Sequence, residues 1–246
     1  MGSVIAILSG KGGTGKTTAC AGISIALSCA GAQVLCIDCD VGLRNLDLSL
    51  GMSDICSLSF LDIMERNYPL SFSSQHPTYP TLSFLTAPIN RPVEEINPIA
   101  FGNMLQEARK LYDYVFLDAP AGVDAGFRLV AAPADRILLV TGPGAAAIRD
   151  AARVGELLEL MGKQDTRLIV NRVQKSILSQ LKVTIDDVMD TAGLPLLGIV
   201  LEDPNVTLSA SFGMPLQRYS KRSPAMVACR KIAKRIQGQP VPITYR

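Results

Sequence analysis

Residues Gly10-Lys11-Gly12-Gly13-Thr14-Gly15-Lys16-Thr17 set two lysines and two threonines among four glycines. Glycines let successive backbone N–H groups curl around an anion, a lysine at the end of the run can neutralise β- and γ-phosphate charge, and a following hydroxyl can ligate magnesium. The pattern G-x-x-x-x-G-K-[ST] has force only between a strand and a helix. Here Val4-Ile5-Ala6-Ile7-Leu8 precedes it as an unbroken apolar run, and Thr17 to Ala30 reads as a helix. Gly10 to Thr17, with Thr18 next on the helix, are therefore expected to bind ATP or ADP with Mg2+, and Lys16 is a candidate catalytic residue.

Carboxylates supply the other half of the chemistry. Asp38 and Asp40 follow the apolar run from Gln33, and Asp118 closes Tyr114-Val115-Phe116-Leu117. If these runs are parallel strands, all three acids lie over the edge that carries the glycine loop, where ligands of such sheets bind. Carboxylates beside phosphates call for a cation, so Thr17, Asp40 and Asp118 are the expected magnesium-side residues, Asp118 from the second shell.

The elements that position these groups alternate along the chain. Strands are predicted at 4–8, 33–38, 82–86, 114–118, 136–141, 167–170 and 195–201, and helices at 17–30, 97–111, 146–161, 184–192 and about 224–237. Alternation of this kind predicts an α/β fold, a mostly parallel sheet with helices on both faces as in P-loop NTPases, in a single domain over 1–246. The Ser- and Pro-rich stretch Asn67 to Thr81 is expected to be an exposed excursion from the sheet.

Lys11 is a second lysine that phosphate binding within one subunit does not need. With it, Lys11-Gly12-Gly13-Thr14-Gly15-Lys16-Thr17 resembles the deviant Walker A motif of the MinD/ParA family of ATPases. Asp40-Val41-Gly42-Leu43-Arg44-Asn45-Leu46-Asp47, Asp118-Ala119-Pro120-Ala121-Gly122, Ile148-Arg149-Asp150, Asn171-Arg172-Val173 and Gly198-Ile199-Val200 extend the resemblance from residue 4 to about residue 245. It implies an ATPase that forms a homodimer when ATP-bound, with Lys11 reaching the partner subunit's phosphates as an arginine finger would. Asp40 would position the attacking water and Asp118 begin a second switch segment. Asn171 and the main chain near Leu201 and Glu202 would line the adenine. The implied role is division-site placement, with an activating partner and proteins of the MinC/MinE type. Gly144 and Ala146 depart from the Glu and Ser common in that family.

Family members that place septa carry an amphipathic membrane tail, whereas this sequence stops at Thr244-Tyr245-Arg246. Near that end Arg230, Lys231, Lys234 and Arg235 oppose Ala228, Cys229, Ile232, Ala233 and Ile236 at helical spacing. A packed last helix with a solvated basic face is expected, ahead of a membrane-surface helix. Arg218, Lys221 and Arg222 enlarge the basic cluster and support an alternative, a ParA-like switch that binds nucleoid DNA.

Other classes find little support. Trp is absent and only 5% of residues are aromatic, which argues against base-stacking platforms. Asp135 and Arg136 break the richest apolar run, Leu129 to Ile148, below the roughly 18 residues a bilayer span needs. No export pattern opens the chain, so a cytoplasmic location is expected, with peripheral contact at the inner face of the cell membrane left open. The six cysteines, Cys36-Ile37-Asp38-Cys39 included, then read as free structural thiols. An iron–sulfur carrier sharing the phosphate loop would need a cluster cysteine between Ala119 and Phe127, where none stands. Nothing marks the acceptor pocket of a small-molecule kinase.

Overall fold

Uninterrupted β-branched and aliphatic runs such as Val4–Leu8 bury both faces of a strand, so they belong inside a parallel sheet covered on both sides. The computed structural model, which describes residues 1–41, 43–66, 68–89 and 91–244, builds that sheet. Gly42, Asn67, Asn90, Tyr245 and Arg246 lie outside the described residues. In chain order the first half comprises β1 (Ser3–Leu8), α1 (Lys16–Cys29), β2 (Val34–Asp38), α2 (Leu46–Leu50), α3 (Phe60–Arg66), β3 (Ser74–Gln75), β4 (Leu82–Leu85), α4 (Pro98–Leu111) and β5 (Tyr114–Asp118). The second half comprises α5 (Ala125–Ala131), β6 (Arg136–Thr141), α6 (Ala145–Leu160), β7 (Thr166–Val173), α7 (Lys175–Leu181) and α8 (Ile185–Ala192). It ends with β8 (Leu196–Leu201), α9 (Pro204–Ser211), α10 (Leu216–Tyr219) and α11 (Pro224–Ile236).

The eight strands run in the order β3-β4-β2-β5-β1-β6-β7-β8. All neighbours pair in parallel except β3, which runs antiparallel to β4 at the edge. Side chains alternate across β1. Val4, Ala6 and Leu8 face a core made with Phe101 and Leu105 of α4 and Val154 of α6, while Ile5 and Ile7 face Ile23 and Leu27 of α1 and Met226 of α11. Helix α1 is buried along nearly its whole length because α11 lies directly on it. Gly22 permits that approach, since a Cβ there would stand 2.6 Å from Cys229 Sγ.

Helix starts follow local chemistry. Asn97 Oδ1 accepts hydrogen bonds from the amides of Ile99 and Ala100 ahead of α4, Thr184 and Asp187 form a capping box at α8, and Ser223 caps α11 before Pro224.

The segment expected to be an exposed excursion is partly built in. Leu70, Ser73 and His76 are buried, and Ser74 and Gln75 pair with Phe84 and Ser83. His76 sets this arrangement. Its Nδ1 accepts from the amides of Thr78 and Tyr79 at 3.0 and 3.2 Å, so Nε2 is the donor to the Leu50 carbonyl at 2.8 Å. Burial lowers its pKa and favours this neutral form. A Ser- and Pro-rich composition predicts exposure, but an imidazole that satisfies three backbone groups at once outweighs it.

The last helix packs as expected, although its basic face is less solvated than spacing alone implies. Arg235 donates to the carbonyls of Leu197, Val241 and Pro242, Lys231 to Thr244, and Arg230 to Gln217, while Lys234 is exposed. The guanidinium of Arg235 thereby satisfies backbone acceptors that a loop leaves open. All six cysteines are free thiols. Among the described residues no helix is long and apolar enough to cross a membrane.

Candidate nucleotide site

The carboxyl ends of β1, β5 and β2 converge, and register fixes what they present. Asp118 is paired with Ile7 on one side and with Asp38 on the other, so two buried carboxylates stand beside the turn that leaves β1. In that turn the buried Ser9 hydroxyl donates to the Lys11 carbonyl at 2.9 Å, and Gly10 lies against the backbone of Asp150. Gly13 and Gly15 have φ of 75° and 88°, a region L side chains rarely enter. The amino end of α1 thus opens toward the loop, its amides free for an anion.

Asn171 braces the loop from β7. Its Nδ2 donates to the Thr14 carbonyl at 2.8 Å and occupies the space a side chain at Gly15 would need, a Cβ there falling 2.2 Å from it. Gly15→Ala therefore meets a left-handed backbone and a displaced brace together. It is expected to weaken binding of a fluorescent ADP analogue about 10–100-fold, as strain of about 1–2 kcal/mol adds to a lost hydrogen bond. Wild-type affinity in that variant, read by fluorescence titration, would disprove the packing argument.

Lys16 is buried, while Lys11 is exposed and makes no ion pair among the described residues. The acids next to Lys16 are strained electrostatically. Burial, and then the charge of Asp38, push the Asp118 carboxyl up to about 7, against the Thr17 hydrogen bond and the Lys16 ammonium. Asp38 is pushed up to about 6 by burial although the amides of Asp40 and Leu46 donate to it at 2.9 and 3.2 Å. Burial also raises Asp40, and Lys16 pulls it back.

These residues fit magnesium. Among the described residues Asp118 Oδ1 is buried without a hydrogen-bond partner, with the Thr17 side chain beside the carboxylate. Among the described residues no cluster of three or more His, Cys, Asp or Glu side chains forms a closed cation cage. A hard cation that takes few protein ligands and shares the rest with phosphate and water suits such a site.

Beside the loop a cavity of about 260 Å3 opens between Gly13, Gly15 and Thr18 on one wall and Asn171, Val200 and Glu202 on the other. Leu201 turns its side chain toward the opposite face of the sheet, and Val200 lines the cavity one residue earlier, as strand alternation requires. Gly144 precedes α6 without a side-chain cap and Ala146 sits in its first turn. Residue types alone did not single out Ser9 as a loop brace or Asp203 as a cavity wall. Asp203 was findable, since Asp203-Pro204 is a helix-start signature. Its carboxylate caps α9 at Asn205 and also accepts from the Ala225 amide, tying α9 to α11.

A glycine loop between a central parallel strand and a buried helix, with carboxylates from two adjacent strands beside its lysine, defines a P-loop nucleotide-binding protein. More narrowly, the chain belongs to the CobQ/CobB/MinD/ParA nucleotide binding domain family, whose model matches residues 5–216. The septum site-determining protein MinD of Synechocystis sp. is 36% identical over 98% of this chain and 92% of its own length. A chain of the MinC:MinD cell division protein complex from Aquifex aeolicus superposes with a TM-score of 0.90 at 34% identity, covering 98% of each chain. The septum site-determining protein MinD from Pyrococcus horikoshii, solved in complex with Mg-ADP, gives 0.84 at 27% identity over 96% of each.

Proposed function

We propose that this protein is a MinD-type ATPase switch, which dimerises on binding ATP, hydrolyses it, and takes part in placing the division septum with protein partners of the MinC and MinE kind. One observation carries the reading. A phosphate loop holds one buried lysine, Lys16, for its own nucleotide and presents a second, Lys11, outward with no ion-pair partner among the described residues. Near-full-length similarity to septum site-determining proteins supports the division role.

Within the site Lys16 and the loop amides hold the β- and γ-phosphates, with Thr18 following on α1. Asn171 and the main chain around Leu201 and Glu202 flank the base in the adjoining cavity. Thr17, Asp40 and Asp118 stand on the magnesium side, and bound magnesium neutralises phosphate charge there. Asp40 orients the attacking water.

The surface on which the switch works follows from charge. After Asp203 the sequence holds eight Lys and Arg and no Asp or Glu, so this segment favours an anionic surface, and we take it to be the inner face of the cell membrane. The same charge segregation favours a second reading, ParA-like binding to nucleoid DNA. Sedimentation velocity of Asp40→Ala, which slows turnover, is expected to show a dimer with Mg-ATP and a monomer with Mg-ADP. A monomer with both nucleotides would refute the switch. Cosedimentation of the ATP form with anionic vesicles supports the membrane, and with duplex DNA alone the nucleoid.

A further inference from the structure

At the end of β7 the sheet departs from its register. Leu168 to Val170 pair with β8 up to Ile199, and pairing resumes at Val173 with Leu201, leaving Asn171 and Arg172 within an irregularity. Consecutive residues of a regular strand point to opposite faces. Here Arg172 adopts a φ of 59°, in the left-handed region, and both side chains turn to the phosphate loop, Asn171 to the Thr14 carbonyl and Arg172 to the Gly13 carbonyl at 3.3 Å. From the same guanidinium, Nε donates to Glu202 Oε2 at 2.8 Å, across the mouth of the cavity.

Stability does not account for this arrangement. The Arg172 side chain is 58% exposed and that of Glu202 33%, and ion pairs so exposed contribute little. A left-handed backbone at a residue with a side chain costs about 1 kcal/mol or more, and such strain collects where function needs a re-aimed group.

We infer that Arg172 is a positioning residue, a latch that ties the Gly13 carbonyl of the phosphate loop to Glu202 at the end of β8 and so holds the loop in its phosphate-binding shape. The inference rests on the nucleotide reading above and assigns Arg172 no contact with the base. Protein atoms alone make the latch, so its effect falls on the phosphate chain whatever base is attached.

The test uses Arg172→Gly, because glycine accepts the left-handed backbone without strain and keeps the variant folded. Affinities for Mg-ATP and for inorganic tripolyphosphate with magnesium are measured by displacement of a fluorescent ADP analogue. Wild-type binding of Mg-ATP tests the nucleotide reading, and the variant-to-wild-type ratios test the latch. Both ligands are expected to weaken by the same factor, about tenfold for one lost hydrogen bond to the loop, with the melting temperature held or raised. Glu202→Gln, which leaves the guanidinium less firmly aimed, is expected to weaken both by a smaller common factor. Loss confined to ATP would make Arg172 a base contact and overturn the latch. Unchanged affinities, or tripolyphosphate that fails to compete on the wild type, would overturn it as well, since a loop held by protein atoms must accept the bare phosphate chain.

Discussion

Lys11→Ala is expected to leave Mg-ADP binding nearly unchanged and to lower ATP turnover about 10³-fold, the scale of a charge supplied in trans to a phosphoryl-transfer site. Lys16 is buried against the carboxylates and serves the loop, whereas Lys11 is exposed and free of ion pairs among the described residues. On the reading proposed above a second subunit brings phosphate to it, so the variant is also expected to remain monomeric with Mg-ATP. Phosphate release and sedimentation velocity on one preparation read both effects. Turnover within a few-fold of wild type, in a variant that still dimerises, would remove Lys11 from the reaction.

Asp118→Asn is expected to separate stability from activity. In the fold the carboxyl titrates at about 7 against an ordinary 3.8, so between those values the native state keeps a proton that the unfolded chain has released. The raised value fixes the sign. Without metal, this group makes the protein progressively less stable as pH climbs from about 4 to about 7, and the loss persists above. An amide removes the buried charge and lets Asp38 ionise more easily. At pH 8 in chelator the variant should therefore melt higher than wild type, on the order of 5 °C for a domain of this size, and the two should converge near pH 4. Magnesium-dependent ATP turnover should fall about 10–100-fold, as it does when a carboxylate supporting a metal is lost. Thermal scans at several pH values, paired with phosphate release, decide the matter. A variant that melts below wild type at pH 8 would mean that the Asp118 charge is already compensated by protein groups.

What could be read from residue order was whatever local chemistry determines. Val4–Leu8, Val115–Leu117 and Ile137–Val140 are buried strand segments because every residue in them is apolar, and Asn97-Pro98 and Thr184 to Asp187 announce helix starts through side chains that cap them. The glycine loop was legible for the same reason. Short helices were not. α2, α3, α7 and α10 have four to seven residues, too few to stabilise themselves, and they exist because the sheet and longer helices hold them. The braces of the loop were equally hidden. Asn171 meets Thr14 across 157 residues of sequence, and a pairing irregularity that turns Arg172 onto Gly13 leaves no trace in hydrophobic periodicity. Resemblance to a family supplied a place for Asn171 without supplying its hydrogen bond.

The place of β1 between β5 and β6 has a consequence for how the protein is made. A chain synthesised from its amino end releases residues 3–8 first, yet their partners start at Tyr114 and Arg136, on the order of 5–20 s later at ordinary ribosomal speeds. Until then this apolar strand has no sheet to enter and depends on transient cover. The ligand cavity closes later still, because its wall includes Cys229 on α11. Nucleotide stabilises only a chain that has reached that point, so it acts during biogenesis as a late selection for finished molecules over nascent or clipped ones.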